Sequence, residues 1–233
     1  MDLLVHRISN LKSRVALGAV VLAALTASAC DSPVDITEFE PRLDQMACQG
    51  EDVPGQFSFQ TAGTFTLGNL AGLAPDPEGR RTELRDAGLR AGFFANWREA
   101  TSKPPFDPPA DLTCQVLGFE TTEQAMAFVE GMEGTPDGVV SSAITWLPRD
   151  DRAVAEIPAP ESAPERARAF RISARDADVA VEVFAVVVRN GAYVQSVYVG
   201  GQGSVDVEMA AMIAAKLFER TANAREALSD PPR

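Results

Sequence analysis

The sequence predicts an α+β domain built on a mostly antiparallel sheet with helices packed on one face. Three observations predict it. The β-branched runs Val179–Arg189 and Ala192–Val199 flank Asn190-Gly191, a dipeptide that tolerates the positive φ of a tight hairpin turn. Thr121 precedes a stretch where Ala125, Phe128, Val129 and Met132 recur at helical spacing, and Gln124 stands where a capping box needs it. Ser204 to Ala222 repeats that spacing, with Met209, Met212, Ile213, Leu217 and Phe218 on one broad side.

The other elements follow in chain order. Gln56–Thr61 alternates polar and aromatic residues, as a strand with one buried face does, and Pro54-Gly55 bounds it. Arg80–Leu89 reads as a short helix with Leu84, Ala87 and Gly88 on one side. Arg90–Glu99 fits a strand: Ala91, Phe93, Ala95 and Trp97 share one face, while Phe94 falls with Asn96 and Arg98 on the polar one. After the proline-rich loop 103–109, Leu112–Phe119 gives a second strand, expected to pair with the first as an antiparallel hairpin. The helix begun at Thr121 meets Gly131, Gly134 and Pro136, and Val139–Leu147 resumes strand character. From Pro148 to Pro164 the prolines and charges predict an extended surface segment with one edge strand near Val154–Ile157.

Composition narrows the function. The chain has a net charge of −12, and no basic run exists for the counterion release that drives nucleic-acid binding. The acidity reads as solubility. The one histidine, His6, lies near the N-terminus. Without another, the rest of the chain holds no Ser-His-Asp or Cys-His constellation and no mixed His/Cys metal site. No catalytic residue, metal ligand or cofactor motif is assigned. Asp150-Asp151 and Asp176/Asp178 lack the oxygen spacing of a calcium loop. Gly200–Ser204 lacks the lysine of a phosphate loop, and Asp206 and Glu208 would repel an anion there, so it reads as a turn capped by Ser204.

The N-terminal segment gives the address. Arg7, Lys12 and Arg14 precede an uncharged apolar run from Val15 to Leu25 and then small residues, the order of a secretory signal. The run falls short of the ~20 apolar residues needed to span a bilayer. Leu25-Thr26-Ala27-Ser28-Ala29-Cys30 resembles the lipobox of bacterial lipoproteins, with Ala27 where leucine is commonest. That resemblance implies cleavage before Cys30 and a diacylglycerol on its sulfur. Ala27-Ser28-Ala29 also satisfies ordinary signal peptidase, which would release a soluble protein starting at Cys30. Loss of the three cations and Asp2 takes the net charge from −12 to about −14. Of three cysteines, lipidating Cys30 leaves Cys48 and Cys114 as an even pair in an oxidising compartment, expected to form a disulfide. The expected organisation is a cleaved signal at 1–29, a lipidated cysteine and acidic tether at 30–52, one domain at 53–223 and a flexible tail at 224–233.

From about residue 80 to 222 the chain resembles the extracytoplasmic sensor domains of mycobacterial-type serine/threonine kinases and the lipoproteins built like them. The likeness rests on the helix start Thr121-Thr-Glu-Gln-Ala125 after a strand, the turn Val188-Arg-Asn-Gly191 and the closing helix Val205–Phe218. It implies ligand binding in a groove beside the sheet. Phe94, Trp97, Trp146, Tyr193 and Tyr198 are the candidate groove residues, with core packing the competing reading for both tryptophans. The expected protein is a membrane-anchored extracytoplasmic binding or sensing module, not an enzyme, for a small-molecule, lipid or glycan ligand or an envelope protein. The alternatives are an assembly lipoprotein acting through an exposed apolar patch and a hydrolase with two buried acids ~5 to 9.5 Å apart.

Overall fold

Among the described residues, alternating side chains on seven strands, rather than any one helix, organise the fold. The computed structural model describes residues 40–72, 76–100, 110–131, 152–176, 179–201 and 206–229. The strands are β1 (Phe57–Phe65), β2 (Leu89–Glu99), β3 (Asp111–Phe119), β4 (Ala153–Ile157), β5 (Arg168–Asp176), β6 (Val179–Asn190) and β7 (Tyr193–Gly201). They form one sheet in the order β1-β2-β3-β7-β6-β5-β4, and every neighbouring pair is antiparallel. The helices are α1 (Glu40–Met46), α2 (Leu67–Ala71), α3 (Pro77–Asp86), α4 (Thr122–Glu130) and α5 (Val207–Ser229).

The α+β class stands, but helices cover both faces of the sheet rather than one. On β7, Val194 and Tyr198 pack into a front core with Leu70 of α2, Leu84 of α3 and Ala125 and Val129 of α4. Val197 and Val199 point the other way, into a back core with Ala210, Ala211, Ile213, Ala214 and Leu217 of α5. Leu43, Met46 and Ala47 in and just after α1 extend that back side over Val116 and Ala91. The reason is visible in β3 and β7, which are buried along their whole lengths after a half-buried first residue. Strands apolar on both sides need two covers.

Local chemistry fixes the joints. Gly191 adopts φ 63° in the β6–β7 turn, as the Asn-Gly pair requires. Thr121 and Gln124 close a full capping box at α4, with Gln124 Oε1 accepting from Thr121 N at 3.0 Å and Thr121 Oγ1 accepting from Gln124 N at 3.1 Å. Asp206, not Ser204, caps α5: its Oδ1 accepts from Met209 N at 2.9 Å. The helix runs on to Ser229, through the first part of the predicted tail. The predicted tether 30–52 is likewise shorter than expected, because α1 begins at Glu40 and Leu43, Met46 and Ala47 are fully buried. A single apolar turn among acidic residues and proline leaves too brief a stripe for periodicity to register. The predicted strand at 139–147 lies outside the described residues.

Cys48 and Cys114 form a disulfide with Cα atoms 5.9 Å apart, tying the segment after α1 to the buried strand β3. Beside it, Arg220 of α5 donates through Nη2 to both oxygens of buried Asp52, at 2.6 and 2.7 Å. Farther along the sheet, Arg168 of β5 makes a twin hydrogen bond to Glu156 of β4 and also donates to Val129 O at the end of α4.

Two outcomes follow for stability. Replacing both cysteines (Cys48→Ala with Cys114→Ala) frees a loop spanning a separation of 66 residues, and is expected to cost roughly 4 kcal/mol in urea unfolding. Hydrogen bonding to Arg168 holds the Glu156 carboxyl below its ordinary 4.5, with burial opposing the shift. A carboxyl lowered in the fold stabilises above its unfolded pKa, and the gain is lost as pH falls through the folded value. The stability gap between wild type and Glu156→Gln should therefore narrow steadily as unfolding is measured from pH 6 down to pH 3.

Candidate functional site

Period-two alternation decides which candidate aromatics can meet. Phe94 faces front, half-buried, its ring stacked on Phe65 at 6.2 Å between centroids. Tyr198 faces front as well and is buried. Trp97, three positions from Phe94, faces back; it is buried in the α5 core and meets Phe59 edge-on at 5.9 Å. Tyr193, five positions from Tyr198, also faces back and packs beside the α1 contact. Trp146 lies outside the described residues. The sheet thus separates Trp97 and Tyr193 from Phe94 and Tyr198, and no single groove can hold all four.

What the front face does bring together is a set of neutral polar side chains. Across the sheet, Thr61 of β1, Asn96 of β2, Thr113 of β3 and Tyr198 of β7 stand in one register row. In the adjoining row Phe94, Gln115 and Ser196 follow one another on β2, β3 and β7. Thr113, Gln115, Ser196 and Tyr198 are buried, Asn96 is half-buried and Thr61 is exposed, so exposure falls along this face from the β1 edge towards β7. Apolar neighbours frame it: Leu117 and Val194 on the α4 side, Ala185 and Val187 on β6.

Polar groups buried in a sheet are costly unless hydrogen-bonded. Asn96 Oδ1 is buried and has no hydrogen-bond partner. Among the described residues, charge at the pad's borders comes from two ion pairs and from Arg189, which alternation on β6 places on the same face beside Val194 and which donates to Gly191 O. Arg98 and Asp111, cross-strand partners one row beyond Asn96, bond twice, at 2.8 and 3.3 Å, and Asp111 raises the Arg98 pKa above its ordinary value. On the far side Arg168 is committed to Glu156. The pad can donate and accept hydrogen bonds and offers no net charge.

Sequence reasoning placed Asn96 on the polar side of its strand, but did not join it to Thr113, Gln115 and Ser196. The signal was there: in Leu112–Phe119 the positions at even spacing from Thr113 are polar first and apolar last, against an unbroken apolar set on the other side. Among the described residues no group of three or more His, Cys, Asp or Glu side chains could hold a metal ion. The buried carboxylate among them is Asp52, which Arg220 neutralises. No helix among the described residues is long and apolar enough to cross a membrane.

No family model matches the chain, and no curated protein does. Among solved structures, the chain is similar to the extracellular domain of PknH from Mycobacterium tuberculosis, at 15% identity and a TM-score of 0.52. The alignment covers 79% of this chain and 96% of that one. At such an identity the likeness is one of fold.

Asn96→Leu removes an unpartnered buried carbonyl at similar volume and is expected to stabilise the fold by about 1 kcal/mol. A higher urea midpoint at unchanged slope is the check.

Proposed function

We propose that this chain is an exported, lipid-anchored binding or sensing module that takes its ligand on the front pad of β1, β2, β3 and β7. The observation that carries this reading is the pad itself, where polar side chains occupy positions of double-buried strands that packing alone would fill with aliphatics. The shared fold supports it: the neighbour of similar fold is, by its description, an extracellular domain. The disulfide between Cys48 and Cys114 supports an oxidising compartment. Anchoring rests on the lipobox-like residues up to Cys30, whose acyl chains would each contribute ~0.8 kcal/mol per buried methylene. Tyr198 and Phe94 are the sequence-predicted aromatics that belong to this site; Trp97 and Tyr193 serve the back core.

A second reading has one observation in its favour. The edge strand β1 carries no charged residue from Phe57 to Phe65, and Phe59 on it is 60% exposed. Edge strands without charges can add a partner's strand, as an assembly lipoprotein acting through a protein surface would.

The anchor and the ligand are tested together. In the native host the protein is expected in the membrane fraction, with an intact mass showing cleavage before Cys30 and a diacylglyceryl group on it. Cys30→Ser should abolish the modification and take the protein out of the membrane fraction. A native mass showing an unmodified Cys30 in a soluble fraction would remove the anchor from the reading and leave the pad untouched.

A further inference from the structure

We infer that the open edge of β1 docks a short, basic, extended peptide of a partner protein as an added strand; the inference rests on the second reading above and does not draw on the pad. Among the described residues β1 has a strand neighbour on one side only, and Ser58 to Ala62 are exposed. A sheet edge offers backbone donors and acceptors in a row, and an extended backbone is the partner that matches them. The opposite edge shows how this chain discourages such pairing. There β4 is five residues long, places Glu156 in an ion pair with Arg168, and is followed by Pro158 and Pro160. By contrast β1 is nine residues long, with neither charge nor proline.

The edge is also preformed. Phe65 lies opposite Gly92, and Phe94 opposite Gly63. The Phe65 ring fills the space where a side chain on Gly92 would stand, and the Phe94 ring lies 3.6 Å from where one on Gly63 would begin. A slip of one residue would set Phe65 against Ala91 or Phe93, so the register of β1 is fixed and little ordering of the edge is left for binding to do. Phe59 supplies an anchor for a side chain of the added strand: it is exposed and stands edge-on against Trp97, its cross-strand partner. The register shift after Phe59 divides the edge into regular runs of three and five residues, Phe57–Phe59 and Thr61–Phe65. Such runs suit a short peptide rather than a long ladder. Charge selects its sign. The strand carries none, while the chain carries −12, so a basic peptide is drawn in and a second copy of this chain brings a like charge.

The test is a titration of the isotopically labelled full chain at low salt, read at the backbone amides of Ser58 to Ala62. The probes are the end-capped peptide Lys-Thr-Val-Thr-Val-Thr-Lys, its counterpart with Glu in place of both Lys, and the basic peptide N-methylated at every Thr and Val, which keeps the charge and loses the backbone donors. The basic peptide is expected to shift these amides saturably and slow their hydrogen exchange. The acidic peptide should bind about tenfold more weakly, and the N-methylated one should leave the amides in place. Phe59→Ala and Ala62→Lys should each weaken the basic peptide about tenfold, with the variants' own spectra confirming their fold. Equal saturation by the acidic peptide would overturn the basic assignment while keeping the edge as a docking site. Equal binding of the N-methylated peptide, or saturable shifts confined to residues away from β1 and β2, would overturn strand addition itself. Concentration-dependent shifts of the same amides without peptide, with a dimer in sedimentation, would give the edge to a second copy and overturn the partner peptide. Silence with all three peptides would overturn the peptide assignment as well.

Discussion

Burial of β3 and β7 on both sides is the constraint from which the rest of the structure follows. These two strands lie side by side in the middle of the sheet, and each is buried from its second residue to its last. Each buried aliphatic side chain contributes about 1.5 to 3 kcal/mol relative to exposure, so leaving either face bare would be unaffordable for a domain of this size. Hence α2, α3 and α4 on the front and α1 and α5 on the back. The outer strands answer to the same rule in reverse: β1 and β4 are largely exposed, as edges with one neighbour each.

The back face is fastened by chemistry stronger than packing. Cys114 projects from β3 towards Cys48, and Arg220 of α5 grips Asp52 four residues beyond it. Gln195, fully buried on β7, donates through Nε2 to Leu217 O at 2.9 Å and also reaches Met46 O and Thr221 Oγ1. Asn190 donates to Phe218 O at 3.1 Å from the hairpin turn. Sheet, α1 and α5 are thus joined by a covalent bond, a desolvated ion pair and two side-chain amides. Breaking one partner of the buried pair would leave a charge uncompensated, which costs more than the pair gains. The start of the domain is held to its centre rather than to an edge.

Much of this was legible in residue order, and the failures have physical causes. Asn190-Gly191, the Thr121 capping box, the β2 face assignment and the β4 edge could be read because each is a local code of a few residues. The two-sided packing could not be read by the same means, since a fully apolar strand such as Phe184–Val188 lacks the alternation that would assign its faces. β5 is masked by Arg168, Arg171 and Arg175, whose charges interrupt the apolar set Phe170, Ile172 and Ala174; Arg168 and Arg171 are satisfied across the sheet by Glu156 and Glu182. That pairing is tertiary. For the site, parity along each strand already separated Trp97 from Phe94 and Tyr193 from Tyr198, but strand order was needed to set β7 beside β3 and so bring Ser196 to Gln115.

The contrast between Gln195 and Asn96 makes the front pad more than leftover polarity. Both are amides in a strand, and both have a buried carbonyl oxygen without a partner. Gln195 has a structural account, because its amide nitrogen fastens α1 and α5 to β7, and an aliphatic in its place would leave two helix carbonyls without that donor. Asn96 joins no helix to the sheet among the hydrogen bonds of the described residues, and its neighbours in the row are a threonine on either side. Selection for stability alone would favour an aliphatic there, as it has at Ala95 on the opposite face. Natural proteins give up stability of this kind where activity needs the residue. Among the hydrogen bonds of the described residues, the Asn96 acceptor between Thr61 and Thr113 has no structural duty.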